Sequence, residues 1–368
     1  MQRETIQEIL VIRLDEIGDF VLTTAFLREL RNNFRDAKIT LVVKQEVYNI
    51  AQTCPYIDLL YAYNPRVGGY FAKIRLKWRK RRFVKRFFRK KVFDLAIVPR
   101  WDADDHGALP LVGLSHSKRR VGYSESVSER KMKQNKGYNL YLTDVIEDDT
   151  VDHEVKKNLN VIKFLGGTCS SDSLELWLTE DDVAVAEKWL APFQKEDRPL
   201  IALGVGASRA RKRWPLASFV EVSRKLLVEK NVQFVVIGGA DDHVLGEELK
   251  VELGIDLLNL AGKLSLRQSA AVLERCTLFL GNDSGPKHIA AALQRPVVET
   301  ICHPVNGSPQ SCYSPERFGA WGRGHIAVQP SVCRLPCTES CYSSESHCIL
   351  DVNPENVLAA VNKIILHR

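Results

Sequence analysis

The chain lacks long apolar runs, since no stretch approaches the roughly 18 residues that a helix needs to cross a bilayer. Its start is polar and contains acids, and the apolar stretch Ile9–Ile12 is too short for the core of a secretion signal. With 45% hydrophobic and 26% charged residues, the composition excludes a disordered chain. We therefore expect a folded protein that stays in the cytoplasm.

The 368 residues are too many for one ordinary hydrophobic core, and they show two series of alternating patterns. Apolar, β-branched runs such as Glu8–Leu14 and Lys38–Val43 alternate with helical periodicity, and a second series starts at Leu200–Leu203. This alternation predicts βαβ units and parallel sheets. We predict two doubly wound α/β domains, over residues 1–175 and 198–352, with ligands bound in a cleft beyond the carboxyl ends of the strands.

The loop after the first predicted strand has no dinucleotide fingerprint, because Gly18 is its only glycine. This argues against a nicotinamide cofactor at that loop. An acid, Asp19, stands at the turn from strand to helix instead. Its carboxylate suits either a base that accepts a proton from a substrate hydroxyl or a cap at the helix N-terminus.

Two loops of the second half combine the features of an anion site. Gly204–Pro215 (GVGASRARKRWP) follows a strand and brings four cations to the start of a helix. Close backbone approach, cations and a helix dipole favour a diphosphate there over a merely solvated basic loop. Gly281–His288 (GNDSGPKH) also lies between a strand and a helix, and the N–H groups of Ser284 and Gly285 suit a phosphate.

A third loop, Gly238–His243, places two acids after another predicted strand. An acid at this position hydrogen-bonds the ribose hydroxyls in many nucleotide-binding domains. It equally caps the helix that follows, and the spacing does not decide between the two roles.

Acids are absent from one segment, Lys73–Lys91, which holds twelve lysines and arginines. The whole chain carries +7 and this segment alone +12, so the rest of the chain is at −5. Its aromatic residues recur at the spacing of one helix face. A basic, aromatic helix favours an anionic membrane surface, with a solvated face and a nucleic-acid site as alternatives. The predicted membrane or acceptor residues are Lys77, Trp78, Arg81, Arg82, Lys85, Arg86, Phe87 and Phe88.

The nine cysteines include a cluster near the C-terminus: Cys333, Cys337, Cys341 and Cys348. The spacing of this cluster lacks the C-x-x-C pair of many zinc modules. Reduced structural thiols are therefore the favoured interpretation for a cytoplasmic protein, and no metal is predicted. A disulfide or a zinc staple stays open as an alternative.

Six stretches match the motifs of one family in the same order: ILVIRLDEIGDFVLTTAFLREL, SHSKRRVGY, LGVGASRARKRWP, IGGADDH, NLAGKLSL and GNDSGPKHIAAAL. They resemble the ADP-heptose:lipopolysaccharide heptosyltransferases of glycosyltransferase family 9, over nearly the whole chain. The resemblance implies a GT-B fold, with two Rossmann-like domains facing a central cleft. The N-terminal domain would take the acceptor and the C-terminal domain the ADP-sugar, and the helix over residues 353–368 would pack back on the N-terminal domain.

The resemblance also implies roles for individual residues. Asp19 matches the catalytic base, Lys212 the lysine that contacts phosphate, and Asp242 the acid that contacts ribose. Further donor contacts fall on Gly206, Ala207, Ser208, Asp283, Ser284, Gly285 and His288. The reaction would invert the anomeric centre without a tightly bound cofactor or metal.

The expected function is transfer of heptose from ADP-heptose to a lipid-linked lipopolysaccharide core acceptor, at the inner face of the cytoplasmic membrane. A family relative that uses another nucleotide sugar or acceptor is the first alternative. A nucleotide-sugar epimerase is the second, although the missing dinucleotide fingerprint argues against it. A basic nucleic-acid-binding protein is the third, and we expect no nucleic-acid partner.

Overall fold

The computed structural model describes residues 6–65, 72–89, 91–194 and 198–366. The chain divides into two compact units, unit 1 over Met1–Asp172 and unit 2 over Ser173–Arg368. The division lies three residues before the end of the predicted N-terminal domain. Residues 195–197 of the predicted linker and residue 90 of the predicted basic segment lie outside the described residues.

Unit 1 is an α/β unit with one sheet. Its strands are β1 (Glu8–Arg13), β2 (Lys38–Lys44), β3 (Leu59–Tyr63), β4 (Leu95–Val98), β5 (Arg119–Tyr123) and β6 (Asp144–Ile146). Its helices are α1 (Ile17–Val21), α2 (Thr24–Asn33), α3 (Tyr48–Ala51), α4 (Ala72–Phe87), α5 (Ala108–Gly113), α6 (Glu129–Gln134) and α7 (Glu154–Phe164). The strands are all parallel, in the order β3-β2-β1-β4-β5-β6.

Unit 2 repeats this plan. Its strands are β7 (Leu200–Gly204), β8 (Gln233–Val236), β9 (Leu258–Asn259), β10 (Leu278–Asn282), β11 (Val297–Thr300) and β12 (Ile326–Val328). Its helices are α8 (Glu180–Leu190), α9 (Leu216–Lys230), α10 (His243–Leu253), α11 (Leu266–Arg275), α12 (Gly285–Ala292), α13 (Pro315–Phe318) and α14 (Pro354–Leu366). The parallel order is β12-β11-β10-β7-β8-β9.

Each central strand is apolar on both faces because helices cover both sides of a doubly wound sheet. In β1 the four residues Ile9–Ile12 are completely buried, and so are Ile201–Leu203 of β7. The strand order reverses between β1 and β4 in unit 1, and between β7 and β10 in unit 2. Ligands of such sheets bind outside the carboxyl ends of the strands at this switch point. The loops that the sequence singled out after β1, β7 and β10 are therefore all at switch points.

The stretch Val21–Asn32 has helical periodicity but contains a break between two helices. α1 ends at Val21 and α2 begins at Thr24. The hydroxyl of Thr23 donates to the Asp19 carbonyl at 2.7 Å, and that of Thr24 donates to the Val21 carbonyl at 2.8 Å. Such side-chain hydrogen bonds compete with the helical ones and allow the axis to break.

Helix α14 belongs to the core of unit 2. Its buried residues Val357, Ala360 and Val361 join that core, and the helix contacts α9, β11 and β12. Packing of this helix on the N-terminal domain, which the family resemblance implied, stays a prediction. Among the described residues, no helix is both long and apolar enough to cross a membrane.

Candidate active site

Five ionisable side chains meet at the switch point of unit 1. They are two arginines, Arg13 and Arg100, and three carboxylates, Asp15, Asp19 and Glu154. Arg13 contacts Asp15 at 3.0 Å and Glu154 at 2.8 Å, and Arg100 contacts Asp19 at 2.5 Å. Both guanidinium groups are almost fully buried. Burial of these cations is tolerable only because the carboxylates surround them, so the cluster fixes its members in place.

Asp19 makes contacts of two kinds. One carboxylate oxygen, Oδ2, accepts a hydrogen bond from the backbone N–H of Glu16 at 3.2 Å and completes a capping box at the start of α1. The other oxygen, Oδ1, pairs with Arg100 at 2.5 Å and with Arg13 at 3.4 Å. The side chain keeps 16% of its surface exposed. The capping role is thus real, and it leaves an oriented carboxylate edge open to a ligand.

Asp15 lies deeper in the same cluster. Burial raises the pKa of this carboxyl above its ordinary value, although Arg100 and Arg13 oppose the shift. Sequence reasoning named Asp19 and missed Arg100 and Glu154. These two residues follow β4 and begin α7, far along the chain from the first loop, so no local motif signals them. A parallel sheet that places the ends of β1 and β4 side by side was the only available signal.

A chain of four charges lies at the switch point of unit 2. Lys212 contacts Oδ2 of Asp283 at 2.6 Å, and Lys287 contacts Oδ1 of the same carboxylate at 2.7 Å. Lys287 also pairs with Glu299 and donates to the Phe318 carbonyl. Lys287 and Glu299 are buried, whereas Lys212, the outermost of the four charged residues, is 18% exposed.

The charges of this network adjust one another. Burial alone would raise the pKa of Asp283, but the ammonium groups of Lys212 and Lys287 hold that pKa well below its usual range. Burial likewise raises the pKa of Glu299, and there Lys287 opposes the shift only in part. Lys287, to which the sequence assigned no firm role, therefore holds Asp283 in the ionised form from the buried side of the carboxylate. Asp283 in turn fixes the ammonium group of Lys212.

Asn282 joins the two anion loops and was missed by the sequence analysis. Its side-chain N–H donates to the carbonyl of Val205 at 2.8 Å, and its Oδ1 accepts from the backbone N–H of Trp214 at 2.9 Å. The hydroxyl of Thr300 donates to the same oxygen at 3.0 Å. One buried amide thus sets the spacing between the end of β10 and both ends of the Gly204–Pro215 loop.

Tyr313 is a second residue that the sequence did not indicate. Its ring lies beneath three cations, with Lys212 Nζ at 5.1 Å, the Arg211 guanidinium at 5.6 Å and the Arg209 guanidinium at 5.8 Å from its centroid. Arg209 also donates to the Tyr313 hydroxyl. An aromatic face attracts cations and holds them without neutralising their charge. The ring therefore leaves the charges of Arg209 and Arg211 available to an anion, whereas Lys212 also pairs with Asp283.

Asp242 comes directly before α10 and lies against two glycines. Its Oδ2 accepts from the backbone N–H of Gly239 at 2.9 Å, so it caps the short 3-10 turn Ala240–Asp242 that leads into α10. A Cβ atom on Gly206 would lie 1.7 Å from Asp242 Oδ1, and one on Gly238 would lie 2.5 Å from Oδ2. Both glycines are therefore needed for the carboxylate to lie beside the end of β7. Asp242 therefore caps this turn and also lies next to the Gly204–Pro215 loop.

The remaining predicted donor residues lie in the two anion loops, Gly204–Pro215 and Gly281–His288. Ala207 is buried and its carbonyl accepts from Arg213 at 2.8 Å, whereas Ser208 is exposed. Ser284 is half-buried, begins α12 and makes no side-chain cap bond, so the helix N-terminus at Ser284 and Gly285 suits an anion. His288 belongs to α12, and its side chain is buried, with 6% of the residue exposed.

The basic helix α4 has two distinct faces. Phe83, Val84 and Phe88 are buried in the core of unit 1, and Phe87 is half-buried with its ring 4.7 Å from that of Tyr61. The prediction that Phe88 faces a membrane or the acceptor was wrong, because this side chain is fully buried, and for Phe87 it stays a prediction. Helical periodicity shows an apolar face without showing what that face contacts. The other predicted side chains are exposed: Lys77, Trp78, Arg81, Arg82, Lys85 and Arg86.

Comparison with known proteins identifies a family. Residues 117–301, half of the chain, match the model of glycosyltransferase family 9 (heptosyltransferase). The chain is 36% identical over 175 residues to lipopolysaccharide heptosyltransferase 2 of Escherichia coli, a match that covers 46% of this chain and 48% of that enzyme. The chain spans 30–48% of the length of the first three curated relatives it matches.

Solved structures are similar in fold over almost the whole length. A family 9 glycosyltransferase of Veillonella parvula has a TM-score of 0.77 at 21% identity, with 98% of each chain covered. The E. coli heptosyltransferase WaaC with ADP has a TM-score of 0.70 at 17% identity, with 97% of this chain and 100% of that chain covered. The predicted fold class, two Rossmann-like α/β domains of the GT-B type, is confirmed.

Proposed function

The chain belongs to glycosyltransferase family 9, and we propose that it transfers a heptose from ADP-heptose to a hydroxyl of a lipopolysaccharide inner-core acceptor, with inversion of the anomeric centre. The observation that carries the proposal is the ion pair between Lys212 and Asp283 at the switch point of unit 2. In this pair Asp283 fixes the partly exposed ammonium group of Lys212. The pair lies at the carboxyl ends of the strands, where open α/β sheets bind nucleotides.

The diphosphate of the donor fits the two loops of unit 2. Its negative charge would meet Lys212 and the neighbouring arginines over the Tyr313 ring, together with the N-terminus of α12 at Ser284 and Gly285. These groups are held in place before any ligand arrives, so they need little reorganisation when charge builds up on the leaving ADP. Asp242, next to Gly206, is the proposed partner of the ribose hydroxyls.

Asp19 is the proposed base. The acceptor hydroxyl would attack the anomeric carbon on the side opposite the departing ADP, through an oxocarbenium-like transition state. As the new C–O bond forms, the hydroxyl proton passes to the carboxylate of Asp19 and the C–O bond to the diphosphate breaks. Arg100 and the capping N–H of Glu16 hold that carboxylate in one orientation.

The acceptor and the cell location follow from the same proposal. A lipid-linked acceptor lies at a membrane, and α4 exposes cations beside Trp78, which suits an anionic surface. We therefore propose action at the inner face of the cytoplasmic membrane, without a nucleic-acid partner. Heptosyltransferase names among the relatives favour heptose. A different nucleotide sugar or acceptor is the alternative, because the donor residues described above are proposed to contact ADP rather than the sugar.

The first test is acceptor-dependent release of ADP from ADP-heptose, with and without lipid A that carries its inner-core sugars. We expect release by the wild-type protein only with the acceptor present. Lys212→Met should weaken ADP binding by about tenfold or more, since it removes a charge-assisted contact. Lys225→Met is the matched control, because Lys225 forms an exposed pair on α9.

The outcomes separate the parts of the proposal. Tight ADP binding without turnover would keep the donor site and reject this sugar or acceptor. Absence of ADP binding by the wild-type protein would reject the donor site. Equal effects of the Lys212 and Lys225 substitutions would reject the assigned role of Lys212.

A further inference from the structure

Three thiols and one imidazole converge in the C-terminal part of unit 2. The side chains are those of Cys337, Cys341, His347 and Cys348, and their sulfur and nitrogen atoms all lie within 4.8 Å of one another. The three cysteines are buried, with at most 1% of their surface exposed. Three of the four belong to the cluster that the sequence showed, and His347 takes the place expected of Cys333.

Two of the spacings between these atoms match those of a tetrahedral metal site. His347 Nδ1 lies 3.6 Å from Cys337 Sγ and 3.4 Å from Cys348 Sγ. Zinc bonds of about 2.3 Å to sulfur and about 2.0–2.1 Å to nitrogen put the ligand atoms of a tetrahedron about 3.6 Å apart. A disulfide would join only two of the thiols and leave the third and the imidazole without use.

The chain around this cluster has little regular secondary structure, although some of its side chains, including Ile349 and Val352, join the core of unit 2. Between the end of β12 and the start of α14 there are 25 residues, from Gln329 to Asn353, with a single helical turn at Cys348–Asp351. Compact domains rarely contain so long a connection without regular structure unless something fixes it. A structural metal is one of the few devices that order such a segment.

The same segment supports the phosphate loop. The Ser346 hydroxyl donates to the Ala210 carbonyl at 2.8 Å, and the Arg211 guanidinium donates to the Cys341 carbonyl at 3.3 Å. At the end of the segment, the Trp214 indole donates to the Val352 carbonyl at 2.9 Å. The carbonyl of one proposed ligand is thus in direct contact with the loop that carries Lys212.

We propose that Cys337, Cys341, His347 and Cys348 bind one zinc ion in a closed, structural site, which orders residues 329–353 and thereby supports the phosphate loop. With four protein ligands the ion keeps no open position, so it takes no part in the transfer. Zinc binding requires the three thiols to lose their protons to solvent, and no oxidation occurs. The sequence favoured reduced thiols without metal because it showed the spacing along the chain and not the convergence in space.

The test is the metal content of the full-length protein, purified without chelator and assayed by mass spectrometry. We expect about one zinc per chain in the wild type and loss of that zinc in Cys341→Ser and His347→Ala. Cys333→Ser is the matched control, because the Cys333 thiol lies beside Cys348 but outside the four-ligand set. It should retain zinc. Replacement of zinc by Co²⁺ should give the visible absorption of a tetrahedral thiolate site.

A second readout uses the wild-type chain and does not depend on variants that fold. Arg334 is exposed within the segment, so removal of zinc by a chelator should speed trypsin cleavage there, and added zinc chloride should reverse the effect. Weaker ADP binding by the zinc-free protein is also expected, but that readout rests on the proposed function, whereas zinc content and cleavage do not.

Three results would overturn the proposal. The first is wild-type protein that contains no zinc and that binds none after reduction and titration with zinc chloride. The second is zinc that survives His347→Ala and is lost in Cys333→Ser, which would reject this ligand set. The third is cleavage at Arg334 that is unchanged by zinc removal, which would reject the ordering role.

Discussion

Asp19 and Arg100 form an ion pair of 2.5 Å at the switch point of unit 1, although they are 81 residues apart in the chain. Asp19 comes from the loop after β1 and Arg100 from the loop after β4. The reversal of strand order brings these two loops together, so the topology itself creates the pair. A carboxylate held in this way is oriented before a substrate arrives. Arg100 is therefore a positioning residue for the proposed base.

Substitution of Asp19 tests the base directly. Asp19→Ala should lower the rate of acceptor-dependent heptose transfer by about 10²–10⁴-fold, the usual contribution of a general base. ADP affinity should not change, because the residues proposed to bind ADP all belong to unit 2. The measurement is single-turnover transfer together with an ADP titration.

The control for this prediction is Asp36→Ala, which removes an exposed acid from the turn before β2. It should leave both the transfer rate and the ADP affinity unchanged. Transfer by Asp19→Ala at a near wild-type rate would show that Asp19 only caps α1.

Removal of Arg100 should destabilise the protein in a pH-dependent way. Burial already raises the pKa of Asp15, and Arg100 opposes the shift, so Arg100→Met should raise that pKa further. A carboxyl with a raised pKa favours the folded state fully below its unfolded value of 3.8, and that stability is lost as pH rises through the folded pKa. The variant should lose about 3 kcal/mol at pH 7 and less at pH 4.

Urea unfolding at the two pH values measures this effect. Arg119→Met is the control, since its pair with Asp144 is 45% exposed on the arginine side and should be worth less than about 1 kcal/mol at either pH. A loss that is equal at pH 4 and pH 7 would contradict the assignment to Asp15.

Gly206 should be required for donor binding rather than for folding. A Cβ at this position would overlap the Asp242 carboxylate, which is the mobile end of a side chain and can rotate away. Gly206→Ala should therefore cost about 1 kcal/mol of stability, the value of a lost helix cap. It should weaken ADP binding by about tenfold or more, because Asp242 leaves the ribose position. Calorimetric titration and chemical unfolding measure the two effects.

Three further substitutions test this prediction. Gly239→Ala places its Cβ 3.9 Å from the same carboxylate, an ordinary contact, and should bind ADP normally. Asp242→Asn should weaken ADP binding as Gly206→Ala does, whereas Asp241→Asn, at the exposed neighbouring position, should not. Normal ADP binding by Gly206→Ala would leave Asp242 with the capping role alone.

The sequence predicted the sheets and the loops because strands of doubly wound sheets are apolar throughout and their loops carry local motifs. Asp19, Lys212 and Asp283 were predicted from these motifs together with the family resemblance. Arg100 and Tyr313 were not, because each reaches its loop from a distant element and has no pattern of its own. Asn282 lies within the GNDSGPKH motif, but the motif does not show that its amide contacts the distant residues Val205 and Trp214. Periodicity also located the apolar face of α4 but could not tell core from membrane. Spacing along the chain showed the cysteines but not the contribution of His347.

The exposed face of α4 leads to the last prediction. Ile74 and Trp78 are 56% and 69% exposed, lie four residues apart on the helix and have cations around them. Such a face suits an anionic bilayer, where each nearby cation adds about 1 kcal/mol and an apolar side chain enters the interface. The protein should therefore bind vesicles that contain anionic lipid, bind neutral vesicles much less, and lose binding as salt rises.

Trp78→Ser should weaken this vesicle binding by about tenfold, since the indole is the largest apolar group on the face. Leu140→Ser is the control, because Leu140 is 86% exposed on another part of unit 1 and should not contribute. Phe88→Ala should instead lower the stability of unit 1 by about 3 kcal/mol or more, since Phe88 is fully buried. Equal losses of vesicle binding in the Trp78 and Leu140 variants would show that binding is not localised to α4. Salt-dependent binding to mixed-sequence DNA but not to anionic vesicles would assign the face to nucleic acid, because phosphate contacts alone do not need an exposed indole.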